Sequence, residues 1–432
     1  MKRLANNPIN TQNKSLRGYS IHIKNRRLSM NFTTKKLAAT AILLSSISAF
    51  SAEPISVTTK SGVSATLYGF ASLNAAYEDS KSNNGNFANF VAASDLTNKN
   101  DGGWHFTPNL TRIGLNLSSG NDSTYFKVNG KIEVDFYGGG SGNAPVPRLR
   151  HGYGEISFGN SGFSILGGQT WDLISPLVTP TLNAGVLNNS GDAGLRRAQL
   201  RLTEKIPVAG GSLDIAAAVV RTIGENQPYN TSSASETGVD ADIPTFQGRI
   251  GISVPLWVEN KKFGLGVSGH YGQEEIDLDD TGRTKDIPTW SVNVDLTLPI
   301  VSAVTLLGEW FIGANLDTYA AGIGRGFVSD KENPKSVKSI GALGGWIALQ
   351  TKFIQELAFN VGAGFDKLDR DDIKKVGGRE QNLSIFANTT YNLTSAFSLG
   401  FEYLHVQTDY RTANTVKEAY LNRYQLSATY GF

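Results

Sequence analysis

Apolar and polar residues alternate one for one in many segments of this chain. The clearest segment is 126–136, FKVNGKIEVDF, where Phe126 and Val128 share one parity and Lys127 and Asn129 share the other. A period of two predicts a strand whose two faces meet different surroundings. One such strand would also occur in a soluble β-sandwich, so only the repetition of the pattern along the chain distinguishes the possible folds. The pattern recurs in sixteen predicted strands, near 65–78, 104–118, 123–137, 147–158, 162–170, 194–206, 211–223, 245–254, 262–274, 286–298, 303–315, 338–352, 356–367, 380–392, 396–408 and 417–432.

The connections between these strands alternate between two kinds. Short turns such as GNSG at 159–162 are followed by long polar loops such as 79–103, 224–243 and 316–337. An even number of strands with short turns at one end and long loops at the other is typical of outer-membrane barrels. A closed barrel leaves no unpaired backbone edge in lipid. The sequence therefore predicts an all-β, sixteen-stranded antiparallel transmembrane barrel with short periplasmic turns and long extracellular loops.

The amino-terminal segment has the composition of an export signal. Met30 is followed by a positive region, an apolar stretch from Leu37 to Phe50 and a small-residue cleavage pattern, which predicts a signal peptide over 30–51. Residues 1–29 are basic and lack periodicity, and we expect them to be a mis-called extension that precedes the true start. The barrel then occupies 52–432. Removal of 1–51 takes away nine positive charges, so the formal net charge of the mature chain is 40 − 9 − 38 = −7 rather than the +2 of the whole sequence.

The last strand ends on an aromatic residue. Tyr420, Tyr424 and Tyr430 share one parity with the terminal Phe432. Together with a signal peptide, this pattern indicates a final strand that the outer-membrane assembly machinery recognises. We therefore expect the bacterial outer membrane as the location, with its lipid as a partner.

The connection after the fifth predicted strand is unlike the other loops. Its sequence, DLISPLVTPTLNAGVLNNSGDA from Asp172 to Ala193, is apolar and contains proline. As a surface loop it would expose many aliphatic side chains to water. We expect this third loop to fold into the lumen as a constriction, with Asp172 and Asp192 at its two ends.

Parity assigns several basic residues to the lumen beside that loop. In GLRRAQLRL the apolar parity faces lipid, so Arg197 and Arg201 face inward, whereas Arg196 takes the outward parity and is expected above the membrane. Fixed guanidinium donors in a narrowed pore select anions. The alternative is that these groups pair with acids such as Glu133 or Asp172 and brace the wall. The candidate constriction residues are Arg112, Lys131, Arg148, Arg150, Arg197, Arg201 and Arg249.

One strand does not follow the alternation. In RLRHGYGEISF the apolar parity of Ile156 would place Arg148 and Arg150 toward lipid, which does not accept two arginines in midspan. A bulge at Gly152 or Gly154 would reverse the parity. Burial of this face at a subunit contact would also explain it. We place Arg148 and Arg150 near the pore.

A run of motifs resembles the DcaP-like outer-membrane porins. The motifs are LYGFASLNAAYE at 67–78, TRIGLNL at 111–117, GKIEVDFYGG at 130–139, PRLRHGYGEI at 147–156, LGGQTWDL at 166–173, GLRRAQLRL at 194–202, GGWIAL at 344–349 and the final YQLSATYGF. The resemblance spans the mature chain and implies a homotrimeric barrel for dicarboxylates and other small anionic solutes. It places Arg148, Arg150, Arg197 and Arg201 at the family's basic positions. The coiled-coil extension that many members carry has no counterpart in the segment 52–64.

Other function classes fit the sequence less well. Without cysteine and with five histidines in the chain, a metal centre, a cofactor site or a nucleophile with a histidine base is not expected, so we predict no enzyme. A nucleic-acid partner is not expected from an acidic mature chain. The alternative is a general or sugar-type diffusion porin without anion preference. Its aromatic path would have to use Phe311, Trp346 and Phe386, which lie on separate strands.

Overall fold

The computed structural model describes residues 55–60, 62–93, 101–119, 125–139, 144–159, 161–224, 238–278, 283–330, 333–412 and 415–432. The predicted extension at 1–29 and the signal peptide at 30–51 lie outside these ranges. No helix in the described part of the chain is both long and apolar enough to cross a membrane.

Sixteen antiparallel strands form one closed barrel, as predicted. Each strand pairs with its neighbours along the chain, and β1 pairs with β16 from Phe70↔Gly431 to Glu78↔Arg423, which closes the sheet. The barrel strands are β1 (Ser64–Glu78), β2 (Gly103–Thr107 continued by Arg112–Ser119), β3 (Phe126–Asp135), β4 (Arg148–Phe158), β5 (Phe163–Trp171), β6 (Arg196–Val208), β7 (Gly211–Val220), β8 (Thr245–Pro255), β9 (Lys262–Asp277), β10 (Thr284–Val301), β11 (Val304–Ala314), β12 (Gly341–Ile354), β13 (Leu357–Leu368), β14 (Gly378–Asn392), β15 (Phe397–Arg411) and β16 (Val416–Gly431).

The two ends of the barrel sequence meet beside β1. A short strand, Ile55–Thr58, pairs with the first residues of β1, from Ile55↔Leu67 to Thr58↔Ser64. It continues the edge that β16 occupies further along β1, because Phe432 exchanges backbone hydrogen bonds with Gly69. The edge of β1 is therefore paired along its whole length, which leaves no free backbone at this seam.

The remaining elements lie in the long loops. The loop between β1 and β2 contains the small hairpin Ser82–Asn84 and Phe87–Val91. The loop between β11 and β12 contains the 3₁₀ turns Asp317–Tyr319 and Gly322–Gly324 and the hairpin Phe327–Asp330 and Asn333–Ser339. A single helical turn, Arg370–Ile373, follows β13 with the Asp369 side chain as its N-cap.

The outward face of the barrel is apolar and carries aromatic residues at both ends. In β6 the side chains of Leu200 and Leu202 are exposed, whereas Arg197 and Gln199, which have the opposite parity, are buried. At the loop end Trp104 is exposed, and Tyr271 pairs across the strands with Trp290. At the turn end the exposed aromatics include Tyr125, Phe126, Trp257, Phe353 and Tyr430. This arrangement is the apolar band with two aromatic girdles of a lipid-facing barrel.

The apolar core of the protein lies inside the barrel. Inward side chains of the later strands, among them Trp346, Phe386 and Leu404, are covered by residues of the inward-folded loops such as Val91 and Leu187. A second cluster joins the loop residues Ile174, Leu316, Tyr319 and Ile323 to Phe311 and Leu368 of the wall. The lumen on the side of β11 to β16 is thus filled. The three loops that fill it are 79–93, 172–195 and 315–326.

Candidate functional site

The loop from Asp172 to Leu195, here called the constriction loop, crosses the lumen. Near its start, the Leu173 N–H donates to Gln247 Oε1 of β8 at 2.8 Å. Further along, the Leu177 N–H donates to Glu309 Oε1 of β11, also at 2.8 Å. The inward-folded third loop that the sequence predicts is therefore confirmed.

The tip of the constriction loop is held by one carboxylate on the opposite wall. Glu402 of β15 accepts hydrogen bonds from Thr181 Oγ1 at 2.8 Å, from the Leu182 N–H at 2.6 Å and from the Asn183 N–H at 2.9 Å. Asn388 Nδ2 bonds both Glu402 and the Pro180 carbonyl. Buried backbone N–H groups need hydrogen-bond acceptors. Glu402 of the barrel wall is the acceptor for the N–H groups at the loop tip.

The other two inward loops are fastened to the constriction loop. The side chain of Asn183 bonds the N–H and the carbonyl of Ala88 in the first loop, at 3.0 and 2.7 Å. The Asn189 N–H donates to the Ala320 carbonyl of the β11–β12 loop at 2.6 Å, and the Gly194 N–H to the Tyr319 carbonyl at 2.7 Å. The three loops thus form one unit that occupies the side of the lumen formed by β11 to β16.

Part of the inward face of β2 to β8 is polar and accessible, whereas Gln247 of β8 and Ser268 and His270 of β9 are buried. The inward side chains of Asn116 and Asn129 are exposed, and those of Lys131, Arg201 and Arg249 are half-buried. Most of the sequence-predicted basic residues lie here.

Glu133 gathers three of the predicted basic residues. Its carboxylate lies 2.7 Å from Arg150 Nε, 3.5 Å from Arg112 Nε and 3.6 Å from Lys131 Nζ. The phenol of Tyr68 also donates to it at 2.7 Å. Glu133 is buried, whereas Lys131 is partly exposed. The acid therefore orients a group of cations and is itself shielded from the lumen.

Asp135 holds Arg148, the fourth cation of this group, and also contacts Arg150. Arg148 Nη2 lies 2.6 Å and Arg150 Nη1 2.8 Å from Asp135 Oδ2, and Arg148 also donates through Nε at 2.9 Å. The side chain of Arg148 is 41% exposed although its carboxylate partner is fully buried. Arg148 thus presents the remaining guanidinium surface to solvent.

A β-bulge places these arginines on the acid-bearing face. The register between β3 and β4 shifts between Glu133 and Val134, so that Arg150 is the extra residue. The sequence suggested a bulge at Gly152 or Gly154; the structure has it slightly earlier. The bulge reverses the parity of the strand. Even-numbered residues face inward up to Arg150, and odd-numbered residues face inward after it.

Arg197 and Asp172 form a buried pair and do not face the accessible lumen. Arg197 Nε lies 3.2 Å from Asp172 Oδ2, and the Arg197 side chain is only 1% exposed. Its Nη2 donates to the Thr318 carbonyl at 2.6 Å, and its guanidinium lies 3.7 Å from the centre of the Tyr319 ring. This pair joins the constriction loop to the β11–β12 loop, which is the bracing role that the sequence left as the alternative.

Asp192 is also buried, at the other end of the constriction loop. Its carboxylate accepts a hydrogen bond from Ser175 Oγ at 3.4 Å, and its backbone carbonyl accepts one from Asn188 Nδ2 at 3.1 Å. Both contacts lie within the loop, so Asp192 stabilises the fold of the loop and does not contact solvent.

Arg201 and Arg249 differ in their partners. Arg201 donates to the Gln199 amide oxygen at 2.9 Å and to the Trp171 carbonyl. Arg249 instead donates to both oxygens of Asp295, at 2.7 and 3.1 Å. Neutral acceptors leave the charge of Arg201 available, whereas the carboxylate offsets that of Arg249.

Arg196 lies beside Arg197 and takes the parity of the exposed Ala198 and Leu200, as alternation predicts. It is the first residue of β6, and its guanidinium lies 4.3 Å from the centre of the Trp171 ring. Its charge interacts with those of Arg148, Arg150 and Asp135. Trp171 is the residue paired with Arg196 between β5 and β6, so the stacked pair shares the outward parity.

The three aromatic residues that a sugar path would use are not accessible. Phe311, Trp346 and Phe386 are all buried, with Phe386 fully covered. They form parts of the two apolar clusters beneath the inward loops. The described residues thus offer no continuous aromatic surface along the accessible side at these positions.

Comparisons with known proteins agree with the barrel. No family model matches the sequence, and no curated protein matches it. Among solved structures, the chain is similar to the outer-membrane channel DcaP of Acinetobacter baumannii, at 19% identity and a TM-score of 0.68 over 87% of this chain and 99% of that one. An anion-selective porin from Comamonas acidovorans matches at 12% identity and 0.53 over 86% and 100%. Salmonella typhi OmpF matches at 12% and 0.54 over 88% and 100%.

The fold is therefore that of the outer-membrane porins, a class of sixteen-stranded barrels with an inward constriction loop. A barrel of this kind is an outer-membrane architecture, which confirms the predicted location in the bacterial outer membrane. The resemblance to DcaP-like porins, predicted from the motifs, is confirmed at the level of the fold.

Proposed function

We propose that this protein is a porin through which small anionic solutes, with dicarboxylates as the preferred class, diffuse passively across the outer membrane. The observation that carries the proposal is the surplus of positive charge on the accessible side of the lumen. Four cations, Arg112, Lys131, Arg148 and Arg150, share two buried carboxylates, which leaves two positive charges in excess before Arg201 is counted.

The acids of the later strands do not offset this surplus at the solute. Glu309 and Glu402 accept hydrogen bonds from the backbone of the constriction loop, and Asp366 accepts one from the Ile323 N–H at 3.3 Å. All three are buried under the inward loops. Their role is to anchor loops, so the field in the accessible half is set by the basic residues there together with the nearby acids Glu155 and Asp295.

The mechanism follows from this arrangement. A dianion that enters from the loop end is drawn toward the basic residues, where guanidinium N–H groups replace part of its hydration shell. The buried carboxylates keep these groups oriented and lower their net attraction. Binding then stays weak enough for the solute to leave down its gradient toward the turn end. The proposed contact residues are Arg112, Lys131, Arg148, Arg150 and Arg201. Asp295 offsets the charge of Arg249, and Arg197 belongs to the loop brace.

Assembly and export complete the proposal. We infer a homotrimer, which the resemblance implies; one fold neighbour, OmpT of Vibrio cholerae, is described in a trimer form. The proposed signal peptide at 30–51 would direct export. The final strand ending in Phe432 would engage the outer-membrane assembly machinery, and its backbone is paired with Gly69 in the finished barrel.

Reversal potentials in planar bilayers under a KCl gradient test the proposed selectivity. The unmodified protein is expected to prefer chloride over potassium, and a series of mono- and dicarboxylates should compete for the path. Arg370→Gln, on an exposed loop residue paired with Glu380, serves as a charge-matched control that leaves the preference unchanged. Equal permeability would favour a general diffusion porin, and cation preference would refute the proposal.

A further inference from the structure

Two buried oxygens of the β11–β12 loop face the same small space with no donor between them. They are Asn315 Oδ1 and Asp317 Oδ1, and neither accepts a hydrogen bond from any residue that the structure describes. A Cβ on Gly326 of the same loop would clash with both of them, so the two oxygens lie together on one side of the Gly326 main chain. A side chain at position 326 would fill this space, and glycine leaves it open.

The orientation of the Asn315 amide does not relieve this contact. Asn315 Nδ2 donates to Glu274 Oε1 of β9 at 3.2 Å. In the reversed orientation Nδ2 would face Asp317, but Oδ1 would then face the Glu274 carboxylate. The amide oxygen therefore meets a carboxylate oxygen in either orientation. Because buried polar atoms are almost always satisfied, the space beside Gly326 suits a cation.

Asp317 forms no ion pair with the residues that the structure describes. The cation that acts on its charge is Arg197. However, Arg197 Nε is paired with Asp172 at 3.2 Å, and its Nη2 donates to the Thr318 carbonyl at 2.6 Å. The N–H groups of Asp317 and Thr318 orient the Asp317 carboxylate without adding a charge. The negative charge that faces Asn315 Oδ1 is thus only partly offset.

The main chain on both sides of this space is held by Ile340, the residue before β12. The Asn315 N–H donates to the Ile340 carbonyl at 3.0 Å, and the Ile340 N–H donates to the Gly326 carbonyl at 2.8 Å. Thr289 Oγ1 of β10 donates to the Asn315 carbonyl at 2.7 Å. The two oxygens are therefore presented by a fixed backbone, which is what a preorganised binding site requires.

The geometry points to a calcium site beside Gly326, with Asn315 Oδ1 and Asp317 Oδ1 as protein ligands and water in the rest of the coordination shell. Calcium binds carboxylate, amide and water oxygens with flexible geometry, whereas magnesium requires a near-ideal octahedron. Thr318 Oγ1, a third buried oxygen without a described partner, belongs to the same turn. Within the described ranges no group of three His, Cys, Asp or Glu side chains is arranged to hold a metal. One carboxylate with neutral oxygens suits calcium better than a transition metal.

A calcium ion at this position would fix the turn that holds the constriction loop. The Ala320 and Tyr319 carbonyls accept hydrogen bonds from the N–H groups of Asn189 and Gly194, at 2.6 and 2.7 Å. Both acceptors follow closely after Asp317 in the chain. The ligands differ from the proposed contact residues of the permeation path, so the site does not depend on the proposed function.

Calorimetric titration with calcium chloride tests the site. The full-length protein is refolded in detergent, so that no lipopolysaccharide contributes calcium sites, and is then treated with EGTA and desalted. The unmodified protein is expected to bind calcium at this site. Asp317→Asn removes the charged ligand and is expected to weaken binding about tenfold or more. Its amide can donate to Asn315 Oδ1, which keeps the loop folded without the ion.

A second variant and a control separate calcium binding from folding. Gly326→Ala fills the space from the other side and is expected to weaken calcium binding as strongly as Asp317→Asn. Asp371→Asn, which changes an exposed carboxylate on the β13–β14 loop, is the matched control and should leave binding unchanged. Heat-modifiable migration on gels checks barrel formation in each variant.

Diffraction shows where the ion lies. Crystals soaked with terbium, which substitutes for calcium, should give an anomalous peak beside Gly326, between Asn315 and Asp317. Calcium binding that survives both Asp317→Asn and Gly326→Ala would overturn the proposal, as would a terbium peak found only elsewhere. Absence of calcium binding in the unmodified protein would show that a proton on Asp317 fills the contact instead. If the pore shows no anion preference while Asp317→Asn still abolishes calcium binding, the proposed function fails and the site stands.

Discussion

The basic residues of the lumen share a residue type but differ in what they contact. Arg150 bridges two buried carboxylates, Arg197 is enclosed between two loops, and Arg201 bonds neutral acceptors. Removal of a cation from a buried carboxylate leaves an uncompensated charge, whereas removal from an amide does not. Substitutions of the same kind should therefore have different consequences at these three positions.

Arg201→Gln is predicted to lower anion selectivity with little effect on stability. One half-buried charge near the path contributes about 1 kcal/mol at a solute, which corresponds to about a fivefold change in the ratio of anion to cation permeability. Reversal potentials measure the change, and denaturant unfolding of the refolded protein measures stability. A selectivity equal to that of the unmodified protein would remove Arg201 from the proposed contact residues.

Arg197→Gln is predicted to act mainly on stability. The substitution leaves Asp172 buried without its cation, and loss of one partner of a buried pair costs about 3 to 5 kcal/mol. Denaturant unfolding should show this loss, while Arg197→Lys should retain part of the stability because it keeps the charge. A variant of full stability with strongly reduced anion selectivity would instead show that Arg197 contacts the solute.

At the scale of elements, the barrel strands supply anchors and the loops supply the constriction. The tip of the constriction loop depends on one acceptor, Glu402, because three donors of the loop converge on it. Gly191 of the loop, at φ +107°, lies so close to Gly345 of β12 that a Cβ would clash with the Gly345 carbonyl. This contact between two main chains leaves no space into which the loop could shift. The close contact and the hydrogen bonds to Glu402 together set the position of the loop.

Glu402→Ala is predicted to release the loop tip and to raise single-channel conductance. The Leu182 and Asn183 N–H groups would lose their acceptor, which costs about 1 to 3 kcal/mol for each unsatisfied buried donor. Single-channel recording should show larger conductance and more frequent current fluctuations, with lower anion selectivity. Glu402→Gln keeps one oxygen acceptor and should lie between the two. An unchanged conductance in Glu402→Ala would show that the other loop contacts suffice.

At the scale of the whole molecule, the lumen is divided into a polar, accessible side and a packed side. The chain contains no cysteine, so single cysteines can report on this division without background reaction. Asn129 lies exposed on the inward face of β3, whereas Ser384 of β14 is buried and bonds Ser190 of the constriction loop at 2.8 Å.

Asn129→Cys is predicted to react rapidly with an anionic methanethiosulfonate reagent and to lose conductance when it does. Ser384→Cys, the matched variant on the packed side, is predicted to resist the reagent because the loops cover it. Bilayer current during reagent addition measures both. Rapid modification of Ser384→Cys with a fall in current would show that the path runs through the half that we describe as filled.

The sequence by itself determined the barrel. All sixteen strands were predictable because one face of each strand meets lipid and the other meets the lumen. Apolar and polar residues therefore alternate within each strand, which is a local signal with a period of two. Composition was also sufficient to predict that the third loop folds inward, because Leu173, Ile174 and Leu177 would otherwise be exposed to water. Parity correctly directed Arg112, Lys131, Arg201 and Arg249 to the inner face.

Only the tertiary structure decided which of the inward residues face solvent. Parity predicts which way a side chain points but not which residues cover it. It could not show that Arg197 lies under Tyr319 or that Phe386 lies under Leu187. The bulge at Arg150 depends on its pairing with β3, and the role of Glu402 depends on a loop some 220 residues away in sequence. The physical reason is that alternation records the medium on each side of a strand, whereas coverage and charge compensation arise from contacts between distant segments.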